Sequence, residues 1–281
     1  MLTSLQNPLV KQMRKLHRAK ERQEQQLFLL EGTHLLEEAC MANCPLVVVC
    51  CTPLWQDHHA KLWDAIVARS PRTELVSEAV LQAIATTVHP DGVVAVAKRD
   101  CLRPLNGAIR MGIALETLQD PGNLGTVIRT ATAAGADGLW LSADSVDLDH
   151  PKVLRASAGQ WFRLPMIVSP DLQADIQPLK QQGVRVVSTS PTATITYWEV
   201  DFTPPTLILL GNEGAGLSPE LAAAADINVK IPLAVGVESL NVAIAPPSSS
   251  TKLNANAGLI LFHDVRRYCK LSEPAPELRK K

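Results

Sequence analysis

Ile231-Pro-Leu-Ala-Val-Gly-Val-Glu-Ser-Leu-Asn-Val242 starts as an apolar strand and runs into a turn built of Gly, Ser and Asn. Two earlier stretches have the same form: Asp120-Pro-Gly-Asn-Leu-Gly-Thr-Val-Ile-Arg129 and Leu210-Gly-Asn-Glu-Gly-Ala-Gly-Leu-Ser-Pro-Glu220. None of the three is an alternating or helical apolar pattern alone. A chain places such turns where its backbone must come close to something. Three of them in one half of a chain predict one shared site.

The segments between these turns alternate strand and helix. Strands are expected over 112–118, 138–142, 163–168, 184–188, 206–210 and 229–231. Helices are expected over 124–134, closed by Gly135, over 151–159, over 171–182, ended by Gly183, and over 258–268. A further short helix is capped by Ser218, with Pro219 at its first position. Such alternation implies a mostly parallel sheet covered on both faces. Ligands of open parallel sheets bind beyond the carboxyl ends of the strands, and all three turns follow strands.

Ahead of residue 100 the elements are shorter. Strands over 28–32, 46–51, 73–77 and 92–97 alternate with helices over 33–40 (capped by Thr33), over 55–69 and from Ser77, a small α/β domain. A helix starting at Asn7-Pro8 precedes them, with Leu9, Met13 and Leu16 as its apolar stripe. Its other faces carry Lys11, Arg14, Lys15, Arg18, Lys20 and Arg22 against one acid, Glu21. In a chain of net charge −1 that concentration points to phosphate-backbone contact, with Lys11, Arg14, Lys15, Arg18 and Arg22 as the candidate residues. A solvated face is the plain alternative, and a membrane-surface helix fits less well because the apolar face lacks large aromatics. The expected class is α/β throughout: a small basic domain over 1–100, a linker over 101–110, a parallel-sheet domain over 111–270 and a polar tail over 271–281.

Hydrophobic residues make up 46% and charged residues 20%, a globular composition. No run approaches the roughly 18 apolar residues of a membrane span, and the N-terminus lacks an apolar signal core. A soluble cytoplasmic protein is expected. Of six cysteines, four fall between positions 40 and 51, but no CxxC pair is present and Cys50-Cys51 sits in an apolar run. Small buried thiols are expected there, with no metal site and no disulfide framework.

The residue types at the turns narrow the chemistry. Asn123 can cap a helix whose N-terminus presents free N–H groups. Arg129 stands in an otherwise apolar and small-residue helix, costly to bury unless paired or liganded. It is either a structural ion-pair partner, perhaps of Glu213, or a group for anion binding or catalysis. The glycines from Gly211 to Gly216 run GxxGxG, not GxGxxG, and no Gly-Lys-Ser/Thr follows, which disfavours dinucleotide and ATP enzymes.

Together the three segments resemble the motifs of the SpoU (TrmH-type) family of RNA ribose 2′-O-methyltransferases, in the SPOUT superfamily. The first matches at Asn123, Gly125 and Arg129, the second from Gly211 to Ser218, and the third at Ile231-Pro232 and from Ser239 to Val242. The resemblance spans about 108–268. Residues 4–8 with the basic helix, and 28–32, are similar to the ribosomal-protein-like RNA-binding domain that often precedes this catalytic domain. The resemblance implies a sheet with a C-terminal trefoil knot, a homodimer with its site near the dimer interface, and S-adenosylmethionine as cofactor. Gly211, Ile231 and Leu240 would line the cofactor, with Ser190 contributing. Asn123, Arg129, Glu213, Ser239 and Asn241 would form the reactive constellation.

Methyl transfer from a sulfonium to a hydroxyl is an in-line displacement, for which positioning supplies much of the acceleration. The hydroxyl must lose a proton, yet no His lies in the three motifs. A guanidinium holds its proton at neutral pH, so Arg129 is expected to bind the adjacent phosphate and stabilise the developing alkoxide. Glu213 and Asn123 would orient it, while Ser239 and Asn241 hold the loop or the hydroxyl. One departure from the family pattern is the stretch from Pro246 to Asn256, read as an insertion of about ten residues in a helix expected to support knot and dimer. The expected activity is therefore ribose 2′-O-methylation of ribosomal RNA. The alternatives are a transfer-RNA methyltransferase and a catalytically impaired RNA-binding protein that keeps the fold.

Overall fold

The computed structural model describes residues 1–232, which form two compact units. The first gathers 1–104 with 120–129 and 146–165; the second gathers, among the described residues, 105–119, 130–145 and 166–232. The expectations for Ser239, Leu240, Asn241, the stretch 246–256, the helix 258–268, the knot and the tail lie outside the described residues.

In the first unit, strands β1 (Leu27–Glu31), β2 (Leu46–Cys51), β3 (Thr73–Leu75) and β4 (Val93–Lys98) form a sheet in the order β1-β4-β2-β3. β4 is antiparallel to both neighbours, and β2 runs parallel to β3. Helices α1 (Pro8–Lys15), α2 (Ala19–Gln25), α3 (Thr33–Met41), α4 (Pro53–His58), α5 (Ala60–Val67) and α6 (Glu78–Ile84) surround it. The stripe Leu9, Met13 and Leu16 packs on Leu29, Val48 and Val96 of the sheet, as its spacing predicts. Two helix starts also follow the sequence: Asn7 accepts from Leu9 N at 2.9 Å, and Ser77 from Val80 N at 3.3 Å.

Three details differ from expectation. The helix expected over 55–69 is broken at His59, where φ is −122° and ψ 38°. Gly32, at φ 103°, occupies the cap ahead of α3; Thr33 instead gives its hydroxyl and its N–H to Asp91. The third concerns Arg22, grouped with the RNA-binding basic residues. Lys11, Arg14, Lys15 and Arg18 are exposed, but Arg22 is fully buried. Its Nη1 donates to the carbonyls of Leu16 and His17, which the end of α1 leaves without helical partners. Its Nε and Nη2 reach Asp149 and Asp147, each at 2.9 Å, and Arg99 pairs with both aspartates. Arg22 therefore presents no charge to a nucleic acid.

The segment 146–165 completes this unit. Helix α8 (Pro151–Ala156) packs beside β1, and the Trp161 ring lies 5.3 Å from that of Phe28. Cys50 and Cys51 are buried in β2, and burial pushes both thiols up to about 12. No group of three or more His, Cys, Asp or Glu placed to hold a metal occurs among the described residues.

The second unit is built on β5 (Met111–Leu115), β6 (Gly138–Ser142), β7 (Met166–Ser169), β8 (Arg185–Thr189), β9 (Ile195–Thr196), β10 (Thr206–Leu210) and β11 (Ile227–Lys230). Their order is β7-β6-β5-β10-β8-β11-β9, and every pairing is parallel. Helices α9 (Leu172–Gln181) and α10 (Pro219–Ala224) pack Leu172, Ile176 and Leu221 on the face carrying Ala114, Trp140, Leu207 and Leu209. The alternate residues Ile113, Leu139, Leu141 and Ile208 are buried on the other face. That is why these strands read as continuous apolar runs. Leu105 and Ile109, in the stretch expected as a linker, pack into this core.

Candidate active site

Four adjacent strands, in spatial order β5, β10, β8 and β11, end on the same edge of the parallel sheet. From their carboxyl ends leave the turn at 116–119 that leads to the first motif, the turn 211–218, the loop 190–194, and Ile231-Pro232 at the head of the third motif. The second turn thus rises from the edge where parallel sheets hold ligands, and the segments leading into the first and third leave from the same edge.

The turn after β10 is fixed by a backbone bridge and by side chains that bond to backbone groups. Asn212 and Gly216 exchange N–H to carbonyl bonds of 2.9 and 3.0 Å. The Asn212 side chain accepts from the N–H groups of Gly214 and Ala215, each at 2.9 Å, and donates to the Thr117 carbonyl at 2.8 Å. One amide side chain thereby shapes its own turn and ties it to the end of β5. Glu116 adds a second tie, accepting from Ser218 N at 2.7 Å, and Thr117 adopts a positive φ of 53° to make the corner. Glu213 points back across the same gap and accepts from Gln119 N at 3.4 Å.

Gly211 has no room for a side chain. A Cβ there would overlap the carbonyl group of Gly216 and the nitrogen of Leu217. Gly211→Ala is expected to cost about 1–3 kcal/mol as an overpacked site. Thermal unfolding checks this, and an unchanged midpoint would mean that the turn re-forms around the methyl group.

Beside this turn lies a cleft of about 740 Å³, a size that suits a drug-sized or cofactor-sized molecule. Ser190, Thr192, Gly216, Leu217, Asp226 and Asn228 are among the residues that line it. The Ser188 hydroxyl donates to the Asn228 side chain beneath. Ser190 therefore stands in the cleft, Gly211 supports its wall from behind, and half-buried Ile231 follows β11. Lys180, 2.7 Å from Asp226 and donating to it, and the Val186 N–H hold the Asp226 carboxyl below its ordinary range against the upward push of burial.

The first motif lies on α7 (Pro121–Ala134). Asp120, not Asn123, caps it: its Oδ1 accepts from Gly122 N at 2.6 Å and Asn123 N at 2.9 Å. The helix begins at Pro121, so Asn123 stands inside the first turn. These bonds and Lys152 hold the Asp120 carboxyl below its ordinary range. Arg129 is exposed and makes no ion pair among the described residues. It needs no partner to offset burial and is open to an anionic ligand. Sequence reasoning assigned no role to Asn212, Glu116 or Asp120. The signal for Asn212 was its place after Gly211 and two residues before Gly214, in a turn where an amide commonly bonds to the backbone two residues on.

Comparison with known proteins sets this geometry in context. The sequence model of the SpoU rRNA Methylase family matches residues 110–246, and that of the MRM3-like substrate binding domain matches residues 7–95. An uncharacterized tRNA/rRNA methyltransferase of Synechocystis sp. is 48% identical over 274 residues, covering 97% of this chain and 96% of the relative. The 23S rRNA (guanosine(2553)-2′-O)-methyltransferase RlmP of Bacillus subtilis is 35% identical, covering 87% and 95%. Among solved structures, the AdoMet-bound rRNA methyltransferase from Sinorhizobium meliloti superposes with a TM-score of 0.80 at 32% identity, covering 95% of this chain and 97% of that one.

Proposed function

This chain belongs to the SpoU rRNA methylase family, and from that premise we propose that it transfers the methyl group of S-adenosylmethionine to a ribose 2′-hydroxyl of ribosomal RNA. The observation that carries the reading is the convergence of four loops on one edge of the parallel sheet beside a cleft of cofactor size. Its relatives include enzymes named for 23S rRNA 2′-O-methylation.

The cleft fits the cofactor. Its walls are loop backbone, glycine and small hydroxyl side chains, which suit a ligand held by main-chain contacts. Gly211, Ile231, Leu240 and Ser190 would hold it. When bound it supplies an electrophilic methyl group on a sulfonium. The chain's own part would be to hold the ribose hydroxyl in line with that group while the hydroxyl gives up its proton to solvent or an acceptor. Arg129 binds the neighbouring phosphate and stabilises charge growing on the oxygen. Asn123 and Glu213 orient Arg129, and Ser239 and Asn241 hold the loop and the hydroxyl. Lys11, Arg14, Lys15 and Arg18, exposed on α1 and at its end, supply electrostatic grip on RNA without reading sequence.

The same reading carries a homodimer, implied by the family resemblance, and a cytoplasmic setting, in keeping with action on ribosomal RNA. No helix among the described residues is long and apolar enough to cross a membrane.

The test is transfer of labelled methyl to unmodified total RNA, followed by fractionation and nucleoside analysis. Ribose label in the ribosomal fraction is expected. Label in the transfer-RNA fraction would move the substrate, and no label from folded, RNA-binding protein would overturn the enzyme reading.

A further inference from the structure

Charged contacts hold α8 at both ends. Ahead of the helix, Asp147 and Asp149 are gripped by the buried Arg22 and by Arg99. At its last turn, Arg155 Nη1 donates to Glu31 Oε2 at 3.1 Å and to the Thr86 hydroxyl at 2.9 Å. Glu31 is only 6% exposed and also accepts from the N–H groups of Thr86 and Thr87 at 3.0 and 3.2 Å. A buried carboxylate with this many donors is an anchor with one well-defined place.

The middle of α8 meets the first-motif helix. A Cβ on Gly125 would fall 2.5 Å from the Ala156 Cβ and 2.6 Å from the Val153 carbonyl oxygen. Lys152 reaches from α8 to Asp120, the cap of α7, at 3.2 Å. All of these groups belong to the first compact unit. Helices packed at backbone distance cannot slide independently, because the interface has no spare volume.

We infer that Arg155 and Lys152 are positioning residues for methyl transfer: by fixing α8 against β1 and against the α7 cap, they set where Asn123 and Arg129 stand. The inference rests on the proposed function for its catalytic readout. Neither residue has a place in the reaction itself, and both side chains are partly exposed, so each can be replaced without opening the core.

The experiment uses the full chain and the variants Arg155→Met, Arg155→Lys and Lys152→Met. It measures kcat and KM on unmodified ribosomal RNA, S-adenosylmethionine affinity by calorimetry, and amide hydrogen exchange. Arg155→Met is expected to lower kcat about 10- to 100-fold, the scale of a displacement of about 1 Å, with cofactor affinity and RNA KM held within about twofold. Exchange should accelerate in peptides covering 121–134 and not across the chain. Arg155→Lys should recover most of kcat, since an ammonium still reaches Glu31, and Lys152→Met should show a smaller change of the same kind. Wild-type kcat and exchange in both Met variants would overturn the inference, as would faster exchange spread over the whole first unit. If the wild type transfers no methyl group, the methyltransferase reading fails, while exchange over 121–134 still decides the positioning.

Discussion

Arg129→Ala is expected to lower kcat for ribose methylation by about 10²- to 10³-fold, the scale of removing one preorganised donor from a developing oxyanion. Arg129 is exposed and makes no ion pair among the described residues, so its loss leaves no buried charge behind. The unfolding midpoint and the affinity for S-adenosylmethionine should therefore stay near wild type, and the loss should fall on kcat. Arg129→Lys separates charge from shape. An ammonium is a point charge, whereas a guanidinium offers a planar fork to phosphate. If the fork matters, lysine is nearly as impaired as alanine; near-full activity in Arg129→Lys would sink the bidentate role. Stopped single-turnover assays with saturating RNA and cofactor make the comparison free of product release.

The largest effect on stability is expected from Arg22→Ala, at about 3–5 kcal/mol, because it strips a partner from two largely buried carboxylates. That is a large share of the roughly 5–15 kcal/mol that holds a domain folded. The loss depends on pH with a definite sign. Burial, aided by the Asp147 carboxylate, pushes the Asp149 carboxyl up to about 7, while Arg99 and Arg22 pull it back. Removing Arg22 takes away one pull, so the folded state of the variant holds its proton to higher pH than the unfolded chain, whose aspartates titrate near about 3.9. A folded state that binds more protons loses stability as pH rises. The variant should therefore lie closest to wild type near pH 5 and furthest from it near pH 8. Urea titrations at both values check this; an equal deficit at the two would remove Asp149 from the explanation.

The sheet was legible because its chemistry is repetitive. Runs such as Thr206–Leu210 are apolar on both faces, a pattern that central parallel strands require. The special turns were legible as turns for the same reason, since each follows such a run in the sequence. What escaped was long-range and polar. The bond from Arg22 to Asp149 joins residues 127 positions apart, and nothing in a basic run marks which member turns inward. The membership of 146–165 in the first unit rests on such contacts and could not be seen in composition. The cap of α7 was misplaced because Asp120 and Asn123 are both good capping residues. Pro121, favoured at the first helical position, was the deciding clue. Ser190, Gly211 and Ile231 each follow a strand of the parallel sheet, while the turn beside the cleft depends on Asn212 and Glu116 bonds that no spacing rule encodes.

The strand order has a consequence for how the chain is made. β10 lies between β5 and β8, yet it follows both in sequence. As the protein emerges from the ribosome, β5 must wait with one edge unpaired and β8 with both, since its neighbours β10 and β11 are made after it. Late closure of a parallel sheet around its central strand is slow, since the contacts it makes are far apart along the chain. During that interval three apolar strand edges stand open to wrong partners. A nascent chain halted ahead of Thr206 has no way to close its own sheet, and such truncated products would be natural clients for chaperones.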